Sequence, residues 1–106
     1  MQEMKPRQLK DYLQASAAKP LLLDVREPWE YNICHIKGSQ LIPMQSISAH
    51  LHKLDRQQET IVICHHGVRS KMVARFLEQA QFEQIINLSG GVNLWAQEVD
   101  LSMLRY

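Results

Sequence analysis

The sequence lacks the features that indicate a membrane, a secretory route or a nucleic-acid partner. No apolar run approaches the roughly 18 residues that a spanning helix needs, and the first residues contain no apolar segment of a signal peptide. Twelve basic against eleven acidic residues give a net charge of +1, with no long block of either sign. We therefore expect a cytoplasmic protein that binds neither nucleic acid nor a membrane surface.

Cysteine is scarce as well, since the chain contains only Cys34 and Cys64. Without a secretory signal, free thiols are a better expectation than a disulfide between them. The histidines beside these cysteines match no common zinc spacing, and His50 and His52 lie two apart, so they do not share one face of a helix. The sequence thus predicts no metal site, and nothing in it indicates a cofactor.

What is present is the pattern of a small α/β protein. The 106 residues suit one domain, with no internal repeat, linker or low-complexity segment. Short apolar runs predict strands at residues 21–25, 39–43, 60–63 and 84–88. Helical patterns alternate with these runs: behind Pro6, after Glu27, behind a capping Ser46, from about Ser70 to Gln81, and after Gly90-Gly91. Such alternation favours helices packed on a mainly parallel sheet.

The most informative stretch surrounds Cys64. Three β-branched residues precede this cysteine and predict a strand that ends at a turn. An apolar helical pattern then follows at Met72, Val73, Phe76, Leu77 and Ala80. Backbone N–H groups at a helix start lack intrahelical partners and the dipole there is positive, so the position binds anions and favours a thiolate. Asp24 and Arg26 stand at the carboxyl end of another predicted strand, so we expect them to face the same crevice as Cys64. The sequence indicates chemistry on an activated cysteine.

The residues after Cys64 argue against an inert buried thiol. Gly67 permits the positive φ that a tight ring of N–H groups needs. Arg69 is a cation in a first helical turn, which opposes the dipole and suggests an anion to be balanced. Ser70 can bond a free N–H group or a ligand oxygen. His65 and His66 are either solvated or act on the thiol as cation or base, and we expect them to point apart.

Loop length distinguishes two chemistries. Four residues separate Cys64 from Arg69, whereas the loop of cysteine phosphatases is one residue longer and usually has a histidine before the cysteine. Ile63 holds that place here. A tighter ring of N–H groups is a poorer cradle for a tetrahedral phosphate and a better one for a sulfur carried on the cysteine. The spacing therefore favours sulfur transfer.

With these residues identified, the chain resembles a single-domain rhodanese over nearly its whole length. One motif spans residues 24–31, 35–39 and 42–43, and the other spans residues 64–70; Gly90-Gly91 and Trp95 also match. The resemblance implies an α/β fold with three layers, in which helices flank both faces of a mainly parallel sheet of about five short strands.

The resemblance also implies a thiosulfate or related sulfurtransferase. Cys64 would be the catalytic nucleophile and would carry a persulfide from a small anionic donor to a thiophilic acceptor, such as cyanide, a thiol or a protein. Arg69 would help to bind the donor. The N–H groups of the active-site loop would hold the anionic persulfide; they belong to His65, His66, Gly67, Val68, Arg69 and Ser70.

The amino-terminal motif is interpreted as structural. A buried Asp24 needs partners, so we expect it to accept from N–H groups or from an arginine near the active loop. Arg26 is either a salt-bridge partner or a rim contact for the donor. His35 and Gly38 are expected to fix the loop that returns to the next strand.

Two other functions fit the same residues. A sulfur-carrying or partner-binding module would have little turnover, although such a module needs no reactive Cys64. A thiol redox enzyme would use Cys34, which stands where the family often has Gly or Ala, to resolve Cys64. This second function requires the two Cα atoms to lie within about 7 Å of each other.

Overall fold

The computed structural model describes residues 1–15, 17 and 19–106, which build one five-stranded sheet. The sheet order is β1-β5-β4-β2-β3, and every pair is parallel. Asp24 lies opposite Ile63 in the register of the two central strands, so the segments after them leave the sheet at one edge. The strands are β1 Gln2–Met4, β2 Leu21–Asp24, β3 Gln40–Leu41, β4 Thr60–Ile63 and β5 Ile85–Leu88.

Helices cover both faces of this sheet. They are α1 Pro6–Ala15, α2 Pro28–Ile33, α3 Ile47–His50, α4 Val68–Gln79 and α5 Gly91–Glu98, with 3-10 turns at Met44–Ser46 and Leu51–Lys53. On one face α1 and α5 pack over a core that contains Leu9, Ile61 and Trp95. On the other face α3 and α4 pack over Val62 and Leu77. The expected layered α/β fold is confirmed. Among the described helices, none combines the length and the apolar character that a membrane span requires.

Strand β1 is the element that the sequence pattern did not reveal. Residues 2–4 are polar or only partly buried, as is common in an edge strand, so no apolar run marks them. The strand pairs with β5, and Glu3 lies opposite Asn87 in that register. This pairing brings an acidic side chain to the edge of the cysteine loop.

The expected capping role of Ser46 is wrong. A 3-10 turn ends at Ser46 and continues directly into α3, so Ser46 has helical dihedral angles (φ −99°, ψ −5°). Its hydroxyl makes no capping hydrogen bond to the described part of α3. The carbonyl of Ser46 instead accepts a hydrogen bond from Nδ1 of His50 at 2.8 Å.

The apolar residues of α4 divide between two faces of the helix. Val73 and Leu77 are buried against the sheet, together with Ala74. Met72 and Phe76 are 58% and 41% exposed, so the helical periodicity misassigned these two to the buried side. Residues at positions i, i+1 and i+4 fill the sheet-facing stripe, which turns Met72 and Phe76 toward solvent.

We predict that Leu77→Ala and Met72→Ala have very different effects on stability. Leu77 is wholly buried, so its truncation should lower the free energy of unfolding by about 2–5 kcal/mol. Met72→Ala, in the same helix, should change it by less than about 0.5 kcal/mol. Urea unfolding followed by circular dichroism measures both values, and equal losses would contradict the assignment of the two faces.

Candidate active site

The cysteine loop connects the end of β4 to the start of α4. Cys64 is buried, with 1% of its surface exposed. Gly67 precedes the first residue of α4 and has φ +96°. A Cβ atom on Gly67 would lie 3.1 Å from the backbone nitrogen of Gly90 and 3.2 Å from the carbonyl oxygen of Leu88. Glycine at this position therefore serves both the left-handed turn and the close packing of the loop on the β5–α5 connection.

The start of α5 holds the carbonyl groups of the loop. The N–H of Val92 donates to the carbonyl of Cys64 at 2.9 Å, and the N–H of Asn93 donates to that of His65 at 3.0 Å. A Cβ atom on Gly91 would lie only 2.3 Å from the Cys64 carbonyl oxygen. In a trans peptide the C=O and N–H point in opposite directions, so the N–H groups of His65 and His66 face away from α5.

The sulfur of Cys64 sits in a chain of hydrogen bonds. The N–H of Gly67 donates to Sγ at 3.0 Å, and the thiol lies 3.3 Å from Oγ of Ser70. Ser70 donates to Oδ1 of Asn87, because Nδ2 of Asn87 is committed to Oε1 of Glu3 at 2.9 Å. The Ser70 hydroxyl thus presents a lone pair to the thiol, rather than capping α4.

The anion that balances Arg69 is Glu30. The two side chains form a bidentate ion pair, with N···O distances of 2.6 and 2.8 Å. Glu30 is buried in α2 and also accepts from the N–H of Glu27 and from the Tyr106 hydroxyl. The hydrogen bonds from the Arg69 guanidinium lower the pKa of Glu30 to about 2. The charge of Arg69 is therefore balanced within the protein.

Arg26 is the salt-bridge partner of Asp24. Both side chains are wholly buried, and Nη2 of Arg26 lies 2.7 Å from Oδ2 of Asp24. In this structure Arg26 is thus a salt-bridge partner, and its side chain has no exposed surface at the rim of the site. Arg26 also donates to the Tyr106 hydroxyl at 2.8 Å, and that hydroxyl donates in turn to Glu30. Burial raises the pKa of Tyr106 to about 12, so this bridge between the two ion pairs stays neutral.

The two loop histidines lie on the same side of the loop. Their rings stack with centroids 4.1 Å apart, and His65 also lies 4.0 Å from the Tyr106 ring. The expectation that they point apart is wrong, because the two rings stack on each other. Burial, followed by repulsion from His66, lowers the pKa of His65. Within the described residues, no hydrogen bond joins either imidazole to Sγ of Cys64.

Cys34 and Cys64 contact different parts of the core. Cys64 belongs to the cluster under α3 and α4, whereas the half-buried Cys34 packs against the cluster under α1 and α5. Both thiols are free, and the Cys34 carbonyl accepts from Arg26 at 2.6 Å. In the following return loop, His35 stacks on the Tyr31 ring and its Nδ1 bonds the Tyr31 carbonyl. Gly38 completes that loop with φ +86°.

The site contains four residues whose roles were not predicted from the sequence: Glu3, Glu30, Asn87 and Tyr106. Asn87 interrupts an apolar strand, and a polar residue in such a run is a signal for a buried hydrogen-bond network. Nothing in the sequence around Glu3 or Glu30 indicated a part in this network, since acidic residues are common on protein surfaces. Tyr106 is contributed by a tail that no periodicity describes.

The fold and this loop define a known class of protein. The chain belongs to the rhodanese-like domain family, whose pattern it matches over residues 5–98. A crystal structure of a rhodanese-like domain protein from Staphylococcus aureus superposes with a TM-score of 0.85 at 29% identity, covering 93% of this chain and 95% of that one. The resemblance to rhodaneses and the rhodanese-like fold are both confirmed.

Sequence relatives within the family are named as sulfurtransferases. The chain is 38% identical over 103 residues to the probable adenylyltransferase/sulfurtransferase MoeZ of Mycobacterium tuberculosis, covering 95% of this chain but 26% of MoeZ. It is 35% identical over 75 residues to the thiosulfate sulfurtransferase GlpE of Pseudomonas fluorescens, covering 71% of this chain and 69% of GlpE. The chain thus spans about a quarter of the length of MoeZ.

We predict that Gly91→Ala distorts the cysteine loop, whereas Gly38→Ala does not. Both glycines have positive φ, so each substitution should cost about 1–2 kcal/mol of backbone strain. Only Gly91 has backbone atoms within 2.5 Å of the new Cβ, and overpacking should add about 1–3 kcal/mol. Denaturant unfolding measures the stabilities, and the iodoacetamide alkylation rate of Cys64 should fall in Gly91→Ala alone. An alkylation rate that falls equally in both variants would contradict this account.

We predict that the contribution of Glu30 to stability depends on pH. Its pKa falls from 4.5 to about 2 on folding, so the contribution is complete above pH 4.5 and is lost as the pH falls through about 2. At pH 7, Glu30→Gln should lower the free energy of unfolding by roughly 2 kcal/mol, less than for a wholly buried pair because Arg69 is partly exposed.

Unfolding titrations of the parent and Glu30→Gln between pH 7 and pH 2 test this prediction. The difference between the two proteins should stay constant down to about pH 4.5 and then shrink. Glu83→Gln, at an exposed carboxylate, is the matched control. A difference that grows on acidification would show that Glu30 is not stabilised as an anion.

Proposed function

We propose that this protein is a sulfurtransferase that carries sulfane sulfur as a Cys64 persulfide. In the first half of the cycle, the Cys64 thiolate attacks the outer sulfur of thiosulfate, a new S–S bond forms, and the old S–S bond breaks to release sulfite. In the second half, an acceptor nucleophile attacks the outer sulfur of the persulfide, and Cys64 leaves as the thiolate. Each half is a single displacement at sulfur, and electrons balance without an external oxidant.

The observation that carries this proposal is the hydrogen bond from a backbone N–H group of the loop to Sγ of Cys64. Gly67 donates to the sulfur at 3.0 Å, at the positive end of the 12-residue helix α4. The α5 contacts direct the N–H groups of His65 and His66 away from the carbonyl side of the loop. Together with the first-turn N–H groups of Val68, Arg69 and Ser70, these donors would stabilise the negative outer sulfur of a persulfide.

Arg69 has a more limited role in this proposal than direct capture of the donor. Its two terminal nitrogens are committed to Glu30, so the guanidinium acts mainly by fixing the first turn of α4 against α2. Because Glu30 balances the charge of Arg69, we assign attraction of the anionic donor to the backbone N–H groups of the loop. The neighbouring His65 and His66 would line this mouth, where they restrict the size of donor and acceptor. Asp24 and Arg26 would act indirectly, since Arg26 donates to the hydroxyl of Tyr106, whose ring lies against His65.

The family relatives support the chemistry rather than a particular donor. GlpE is named a thiosulfate sulfurtransferase, and MoeZ combines sulfurtransferase with adenylyltransferase in its name. We propose thiosulfate or a persulfide as the donor, and cyanide, a thiol or a protein as the acceptor. Both cysteines are free, which suits a reducing compartment such as the cytoplasm.

Intact mass spectrometry after brief exposure to thiosulfate tests this function. The reduced parent protein should gain the mass of one sulfur atom, and cyanide or dithiothreitol should remove it. Cys64→Ser should gain nothing, because it lacks the nucleophile. Cys34→Ala is the matched control and should load and discharge like the parent.

Other outcomes distinguish the alternatives. Failure of the parent to gain sulfur from thiosulfate and from a persulfide donor would overturn the sulfurtransferase proposal in favour of a binding module. An internal disulfide on mild oxidation, with turnover lost in Cys34→Ala, would instead identify a thiol redox enzyme.

A further inference from the structure

The exposed apolar residues of α4 form a stripe that begins in the cysteine loop. Val68, Met72 and Phe76 lie at successive i, i+4 positions, and 67%, 58% and 41% of their surfaces are exposed. Val68 is four residues from the reactive cysteine, so the stripe leads directly away from the loop. Three neighbouring exposed apolar side chains form a contiguous patch, which is the kind of surface that marks a binding site.

A groove runs beside this stripe. The 3-10 turn and α3 form its second wall, to which Met44 and Ile47 contribute, and Met72, Val73 and Phe76 form the first. The groove is therefore apolar along its floor and follows about one turn of α4, from Met72 to Phe76. With Val68 one turn nearer the loop, the exposed apolar surface extends over two turns of α4, which suits a peptide segment better than a small anionic donor.

The exposed charge beside the groove is basic. The residues that line the groove are uncharged, and Arg69 and Lys71 are paired with Glu30 and Glu3. Arg75 is exposed, and no ion pair joins it to an acid among the described residues. Arg75 follows Met72 by three residues and precedes Phe76, so it lies beside the stripe on the helix surface. A complementary partner is apolar at its centre and acidic at its rim.

We infer that this surface, defined by Val68, Met72, Phe76 and Arg75, docks a protein acceptor whose thiol lies next to an apolar segment flanked by acidic residues. This inference rests on the proposed function and names the acceptor class for the second half of the cycle. Docking along α4 brings the acceptor thiolate to the loop mouth, where it attacks the outer sulfur of the Cys64 persulfide. Transfer then leaves the persulfide on the partner and the thiolate on Cys64.

Binding of a synthetic peptide tests the surface without any sulfur transfer. The probe is a fluorescent peptide in which leucine and phenylalanine lie between glutamates, and serine replaces the cysteine that an acceptor would carry. A matched control peptide has lysine in place of each glutamate. The parent should bind the acidic peptide measurably tighter, and Met72→Ser/Phe76→Ser should weaken that binding about tenfold. Arg75→Glu should weaken it severalfold, with a larger effect at low salt. Leu101→Ser/Leu104→Ser removes exposed apolar side chains elsewhere and should bind as the parent does.

Discharge of the Cys64 persulfide gives the second measurement. With the cysteine form of the acidic peptide as acceptor, Met72→Ser/Phe76→Ser should lower kcat/KM about tenfold through KM. The rate with cyanide should be unchanged, because cyanide needs only the loop mouth. Equal binding of the two peptides, or equal losses with peptide and cyanide, would overturn the inference.

Two further results distinguish an acceptor surface from a failure of sulfur transfer and from a dimer interface. If the parent binds the acidic peptide but never acquires sulfur, the proposed function fails and the docking surface stands. If the parent sediments as a dimer and Met72→Ser/Phe76→Ser sediments as a monomer, the surface is an interface between copies of this chain, and the acceptor inference is overturned.

Discussion

The contact between the start of α5 and the carbonyl groups of Cys64 and His65 determines the geometry of the whole site. Two N–H groups of α5 hold these carbonyls at 2.9 and 3.0 Å, so the peptide N–H groups on the opposite side are oriented before any ligand arrives. The approach requires that Gly91 has no Cβ, since that atom would overlap both carbonyl groups. The ring of N–H groups is thus built from backbone and is fixed by folding, which makes it independent of side-chain rotamers.

A second constraint is the balance of charge beneath the loop. Glu30 neutralises Arg69, Asp24 neutralises Arg26, and the Tyr106 hydroxyl joins the two pairs. Every buried side-chain nitrogen or oxygen of the described residues has a hydrogen-bond partner. The network therefore needs no ligand to balance its buried charges or to complete its hydrogen bonds.

Features of this architecture that depend on local sequence patterns could be predicted, whereas those that depend on long-range contacts could not. Apolar runs and turn glycines predicted four strands and the location of Cys64, since these depend on local periodicity. Strand β1 escaped because an edge strand needs little apolar surface. The roles of Glu30 and Tyr106 were not predicted, because they depend on contacts between residues that are distant in the sequence. Glu30 and Arg69 are separated by 39 positions, and Tyr106 and Glu30 by 76, and hydrophobic periodicity does not encode such contacts. Arg69 lies between these cases: its unfavourable place in the helix indicated an anion, and only the fold identified Glu30.

The two faces of α4 show how one helix serves both stability and chemistry. Val73, Ala74 and Leu77 anchor the helix on the sheet, which fixes its first turn and hence the donors around Sγ. Val68, Met72 and Phe76 add little to that anchoring, because much of their surface stays in water. Burial of this stripe against a partner would remove apolar surface from water, which is the physical reason that we assign it to docking rather than to folding.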